Sequence, residues 1–181
     1  MIPSVEECYK LMDKYGMLDN IKAHSAIVEK VAVIIAKGLI KAGSDLSLEK
    51  VTAGALMHDI GKTLCLNTKI NHAPKGKEIC LQNGLDEIAE IVDEHITLHN
   101  YEKDGPVQEK EIIYYSDKRV NHDSVVSLEE RLEYLLGRYA SKNEEIANAI
   151  KTNIEMCREV EKKLFSSLGF NPEELADLIK Q

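Results

Sequence analysis

At 181 residues the chain is long enough for one domain with a substantial core, and 44% hydrophobic with 30% charged residues is the balance of a water-soluble globular protein. A 5% aromatic content with no Trp, beside abundant Leu, Ile, Ala, Glu and Lys, favours helices over sheets. A net charge of −8 disfavours broad electrostatic binding to long nucleic acid, while leaving room for a local positive pocket around a small phosphate.

In chain order, Ser4 and Glu7 form a capping box that opens a helix running to about Tyr15 and ending at Gly16. Asn20 is the expected N-cap of a second helix, which reaches about Ala42 and stops at Gly43. On it His24, Val28, Val31 and Ile35 share one stripe, so His24 faces inward, either as a hydrogen-bonded core residue or as a ligand. Ser47 caps a third helix, which ends in Ala55-Leu56-Met57-His58-Asp59-Ile60-Gly61-Lys62. A polar connection from Thr63 to Asn71 follows, and His72 lies in a loop before a short helix whose first turn takes Pro74 and which Gly84 ends. Near Asp86 another helix begins, with Ile88, Ile91, Val92 and His95 on one face. His99, four residues on, would then face the same cleft. After the polar loop from His99 to Gly105, Pro106 is expected to open a helix reading through Lys110 to Arg119.

In that helix Ile113 and Asp117 share a stripe, and a carboxylate on a core face is costly unless it is paired or bound to a cation. Capping boxes at Ser127/Glu130 and Ser141/Glu144 open helices to about Tyr139 and Leu168, and Asn171-Pro172 starts a short terminal helix. No stretch alternates long enough to demand a strand. The expected architecture is one all-α domain over residues 1–181, with a motif-bearing core at about 21–140 and a C-terminal helical extension at about 141–181.

Cys8, Cys65, Cys80 and Cys157 form no CxxC pair and read as reduced thiols. Met1-Ile2-Pro3 leads straight into an amphipathic helix, and the longest apolar stretch, around Val31 to Ile35, falls far short of the ~20 residues of a membrane span. A cytoplasmic protein without membrane contact is expected.

The chemistry gathers around His58-Asp59. Imidazole and carboxylate together suit divalent ions of intermediate hardness. Gly61 would let the chain turn sharply after them, and Lys62 would place a mobile positive charge beside the metal. Six polar groups fall on inward faces or helix ends: His24, His58, Asp59, His72, His95 and Asp117. Packed helices bring such side chains together in a bundle core.

In order and spacing, His24, then His58-Asp59-Ile60-Gly61-Lys62, then Asp117 within Tyr115-Ser116-Asp117-Lys118-Arg119 resemble the HD-domain metal-dependent phosphohydrolases of the HDIG subgroup. The likeness covers roughly Ile21 to Tyr139. It implies an HD-type helical bundle in which His24, His58, Asp59 and Asp117 hold one metal. Asp59 would bridge to a second ion completed by His72 and His95, with Fe, Mn, Co, Ni, Mg and Zn all open as the metal. Two such ions activate water and neutralise phosphoryl oxygens, so Asp59 and Lys62 are the expected catalytic residues.

For substrate contacts, Lys62 could reach a phosphate oxygen or remain solvated. Arg119 offers a guanidinium fork or forms an ion pair with local carboxylates, and His99 is a candidate acid to the leaving group. Arg131 and Arg138, seven apart on one face, read as structural ion pairs, and His122 as a surface residue. The expected activity is hydrolysis of a small phosphate ester, a nucleotide or dinucleotide. Within enzymes the rival is a cyclic-nucleotide phosphodiesterase. Outside them it is a regulatory HD module that binds metal or nucleotide without turnover.

Overall fold

The computed structural model describes residues 1–68, 70–140 and 143–180. Helices α1 (Val5–Lys14), α2 (Asp19–Lys41), α3 (Leu48–Met57), α4 (Lys62–Cys65), α5 (His72–Gln82), α6 (Asp86–Glu94), α7 (Glu109–Lys118), α8 (Leu128–Tyr139), α9 (Glu144–Phe165) and α10 (Leu175–Leu178) follow one another. A single 3₁₀ turn, Pro172–Glu174, precedes α10. The only described strands are β1 (Val120–Asn121) and β2 (Ser124–Val125), which pair antiparallel with Val120 opposite Val125 and Asn121 opposite Ser124. A two-residue strand is too short for alternation to reveal in the sequence. The fold is the expected all-α bundle.

Two helices form its centre. In α3 every residue from Ala53 to Met57 is buried, and in α7 every residue from Glu111 to Lys118 is buried. A helix buried on all sides must be surrounded, and α3 packs against α1, α2, α6 and α7. Gly54 makes one of these approaches possible, because a Cβ there would sit 2.7 Å from Cγ2 of Ile91. α9 packs against α7 and α8 and buries Ile154, Cys157, Val160 and Leu164, extending the core toward the C-terminus. All four cysteines are free, and burial pushes the Cys8, Cys80 and Cys157 thiols up to about 12.

Local signals and structure differ in four places. α2 starts at Asp19 rather than after an Asn20 cap. Leu18 takes the cap position, and its N–H donates to Oγ1 of Thr63 at 3.2 Å instead of needing a capping side chain. The connection expected from Thr63 to Asn71 contains α4, and α5 begins earlier than Pro74 suggests. Asn71 caps it by accepting from the Ala73 N–H at 3.1 Å, which makes His72 the first helical residue and not part of a loop. Pro106 does not open α7, because the reciprocal box of Gln108 and Glu111 sets the start at Glu109. The Ser141/Glu144 box lies outside the described residues; the cap visible on α9 is Asn143, accepting from the Ile146 N–H at 3.1 Å.

Candidate metal centre

The ends of α3, α5 and α6 and inward positions on α2 and α7 converge around Asp59. His58 follows the last residue of α3 and His95 follows the last residue of α6. Both rings use the same local device. Nδ1–H of His58 donates to the Ala55 carbonyl at 2.7 Å, and Nδ1–H of His95 donates to the Val92 carbonyl at 2.6 Å. Those carbonyls belong to the last helical turn and lack a partner further along the helix. His24 does the same across the fold, donating Nδ1–H to the carbonyl of His122 at 2.9 Å. A carbonyl can only accept, so each Nδ1 carries the proton and each Nε2 is left with its lone pair.

Those Nε2 atoms meet around the carboxylates. Nε2 of His24 is 3.1 Å from Oδ1 of Asp117, and Nε2 of His58 is 3.6 Å from that oxygen and 3.5 Å from Oδ2 of Asp59. On the other side Oδ1 of Asp59 is 2.9 Å from Nε2 of His72 and 3.6 Å from Nε2 of His95. Donor atoms of His24, His58 and Asp59 lie within 4.8 Å of one another, and so do those of Asp59, His72 and His95. Asp59 is common to both sets. The structure therefore brings all six sequence-selected residues to one place.

The donor set fits divalent-metal binding on two independent details. Nε2 of His58 is fully buried with no hydrogen-bond partner, which is costly unless something fills its lone pair. Nε2 of His72 and Nε2 of His95 face each other at 3.2 Å, an arrangement that a cation or proton between them relieves. The electrostatics point the same way. Burial opposes ionisation of Asp59, but His58, His72 and His95 outweigh it and hold the carboxyl well below the usual carboxylate range. Burial likewise opposes ionisation of Asp117, while His24, His58 and Lys118 keep it charged. Burial, helped by the neighbouring His58 and opposed by Asp59, pushes His95 down to about 4, so it is neutral and ready to donate a lone pair. At His58 burial disfavours the charge, yet Asp59 and Asp117 raise the imidazole to about 9. Two buried carboxylates facing the His58 ring thus ask for positive charge at this point, a demand that a divalent ion would meet.

The structure separates the remaining candidates. Lys62 opens α4 with Nζ 2.7 Å from Oδ2 of Asp59, half-buried at the edge of the site. Gly61 has ordinary helical angles, φ −79 and ψ −13, so its role is not the sharp turn expected of it. It is needed for space: a Cβ would sit 2.5 Å from the His72 carbonyl oxygen and 2.8 Å from the Gly76 nitrogen, driving α5 away. Arg119 does not reach the cleft. It is buried, and its guanidinium donates to the carbonyls of Val126 at 2.6 Å and Pro172 at 2.9 Å, and to Tyr115 and Glu161. It ties the C-terminal segment to α7 and forms no phosphate fork. His99 is exposed beyond the end of α6, and its backbone N–H donates to Glu94 at 2.6 Å. His122 is exposed as expected, but it has a positive φ of 54 and supplies the carbonyl that orients His24.

One residue of the site escaped sequence reasoning. Lys118 is buried, sits 4.0 Å above the Tyr114 ring, lies 3.6 Å from Oδ2 of Asp117 and donates to the His95 carbonyl. Burial pushes its ammonium down, and Asp117 opposes that. It joins the two sets through one side chain. The only signal for it was a lysine on a helix whose every face is buried.

The HD domain family model matches residues 21–122. The chain belongs to the HD domain family. Among curated proteins, this HD-domain chain is 41% identical over 97 residues to a tRNA (cytidine(56)-2'-O)-methyltransferase of Thermoplasma volcanium, covering 53% of the chain and 27% of that protein. It is 32% identical over 155 residues to the protein of the same name from Picrophilus torridus, covering 78% of the chain and 42% of that protein. With Ribonuclease Y of Fervidobacterium nodosum it shares 34% identity over 87 residues, 48% of the chain and 16% of that protein. The chain thus spans less than half the length of each of these relatives. No solved structure matches the chain. Among the described residues, no helix is long and apolar enough to cross a membrane.

Proposed function

We propose that this HD domain is a metal-dependent phosphohydrolase acting on a small phosphate ester, a nucleotide or dinucleotide. The observation that carries the reading is Asp59, whose two oxygens face two separate groups of imidazole nitrogens. His24, His58, Asp59 and Asp117 would hold one ion, and Asp59, His72 and His95 a second. The chemistry that divalent ions supply at such a site is activation of water and neutralisation of phosphoryl oxygens. The chain's own part is to fix the ligands. The three backbone-anchored imidazoles hold their lone pairs inward, and Lys62, leaving Asp59 as charge develops, offers its ammonium to a phosphoryl oxygen. His/carboxylate donors accept several first-row ions, so availability selects among Fe, Mn, Co, Ni and Zn, with Mg as the hard alternative.

The methyl transfer named for two relatives is a property of proteins more than twice as long as their shared stretch with this chain. A set of imidazole and carboxylate donors converging on one point favours hydrolysis here. The relatives do support a second substrate reading, since all three names concern RNA. A short RNA therefore belongs in the assay. The regulatory alternative is disfavoured because no position of the donor set is missing.

The test supplies purified protein in turn with Mn, Co, Ni, Fe, Zn and Mg against nucleotides, dinucleotides, cyclic nucleotides, phosphomonoesters and a short RNA. Asp59→Ala runs beside it. Metal-dependent phosphate release that disappears in Asp59→Ala is expected. Stoichiometric metal binding without turnover would leave the regulatory module standing, and absence of both would remove the metal centre itself.

A further inference from the structure

The cavity beside the metal centre, about 160 Å³, is walled on one side by α8. Arg131, Tyr134, Leu135, Arg138 and Tyr139 all line it, at the spacing of a single helix face, opposite His24, Asp59 and Lys62. The ion pairing expected of both arginines is met only at Arg131, and there at the limit of contact, while Arg138 has none among the described residues. Arg131 donates Nη1 to the Asn121 side chain at 2.5 Å and holds Nη2 4.0 Å from Oδ1 of Asp117, while its buried Nε has no partner. Arg138 is exposed and donates Nε to the Tyr139 hydroxyl at 3.2 Å, with no carboxylate partner among the described residues. In a chain of net charge −8, this cavity presents three cations, Lys62, Arg131 and Arg138, against one lining carboxylate, Asp59. Once Asp59 is engaged by metal, the wall is an anion receptor.

Resting on the hydrolase reading above, we infer that this α8 face binds phosphates of the substrate that are not themselves attacked. The substrate is then a nucleoside polyphosphate. Seven residues of helix separate the arginines by about 10 Å, so they meet different parts of a phosphate chain running outward from Lys62. Arg131 takes the phosphate next to the reacting one, and Arg138 a later one at the rim. Tyr139, 55% exposed beside it, offers a ring on which a base can stack. The small volume and acidic surface favour a free nucleotide over a polynucleotide, whose backbone would need a longer positive track.

The test measures binding of orthophosphate and of a methylene-bridged, non-hydrolysable tripolyphosphate to the Mn-supplied protein by calorimetry. Wild type is expected to prefer tripolyphosphate by about tenfold or more, Arg138→Ala to lose most of that preference, and Arg138→Lys to regain part of it. Arg138 is exposed, so folding, checked by circular dichroism, is not at risk. A preference that is absent in wild type, or unchanged in Arg138→Ala, overturns the subsite, even if a phosphomonoester is hydrolysed. A short RNA that binds more tightly than tripolyphosphate and depends on Arg138 overturns it in favour of RNA. An Arg138-dependent preference without turnover of any substrate keeps the subsite and removes the hydrolase.

Discussion

The two halves of the metal centre are built on different foundations. His24, His58, Asp59 and Asp117 stand on α2, α3 and α7, which all pack on one another at the centre of the bundle. His72 and His95 stand on the α5/α6 hairpin, where α6 touches α3 and α7 but α5 rests on α6 and α4. Exposure singles out α5 within the outer half: the His72 side chain is 22% exposed, whereas that of His95 is 2%, close to His58 at 0%. The inner half cannot be lost without opening the core. The outer half can be lost by a local shift of α5, in the way peripheral elements open at lower free energy than the global fold.

The strongest way to break this comparison is at the shared ligand. Asp59→Ala is expected to lower phosphate release by more than about a thousandfold, because several kcal/mol of transition-state stabilisation go with both sites. Metal analysis should show loss of both ions; one tightly held ion would mean that the halves are independent. A smaller effect tests the link between them. Lys118→Met removes the one side chain that reaches both Asp117 and the His95 carbonyl, and should weaken metal binding by roughly 10–100-fold, as losses around metal ligands do. Gly61→Ala should sharpen the divide further. The crowding against His72 and Gly76 should cost about 1–3 kcal/mol in thermal unfolding and lower metal content toward one ion, with the inner set intact. Two ions at full occupancy in Gly61→Ala would show that α5 is not the softer support.

Most of the inner half was legible because helix periodicity and ligand placement agree. His24 shares its stripe with Val28, Val31 and Ile35, all buried, so the apolar pattern itself points the ring inward. Asp117 follows from the same argument. The Gly61 contact was not legible, since it depends on α5 passing close in space, and a local reading assigns glycine to turns. Arg119 was legible only in part for a related reason: of its two readings the ion pair holds, with Glu161, but the partners are distant in sequence. The residues it binds lie at Val126, Glu161 and Pro172, and no local pattern connects them to a position two residues after Asp117. Arg131 and Arg138 were placed correctly on one face, but which carboxylates approach that face is a tertiary fact.

The smallest expected effect concerns His99, which is four residues from His95 as a helix neighbour would be. The inference from spacing holds only while the helix continues, and α6 ends at Glu94. The reason is chemical: the His95 ring caps the Val92 carbonyl, and the Glu94 carboxylate draws the His99 N–H to 2.6 Å and Lys110 Nζ to 2.9 Å, folding the chain back on itself. The His99 ring is thereby left in solvent. His99→Ala should change stability by no more than about 0.5 kcal/mol, as at other exposed sites, and leave the rate and its pH profile where they were. A flattened basic limb in the pH–rate profile would return His99 to the leaving group as its acid, and the turn after α6 would have to close over the cleft for that to happen.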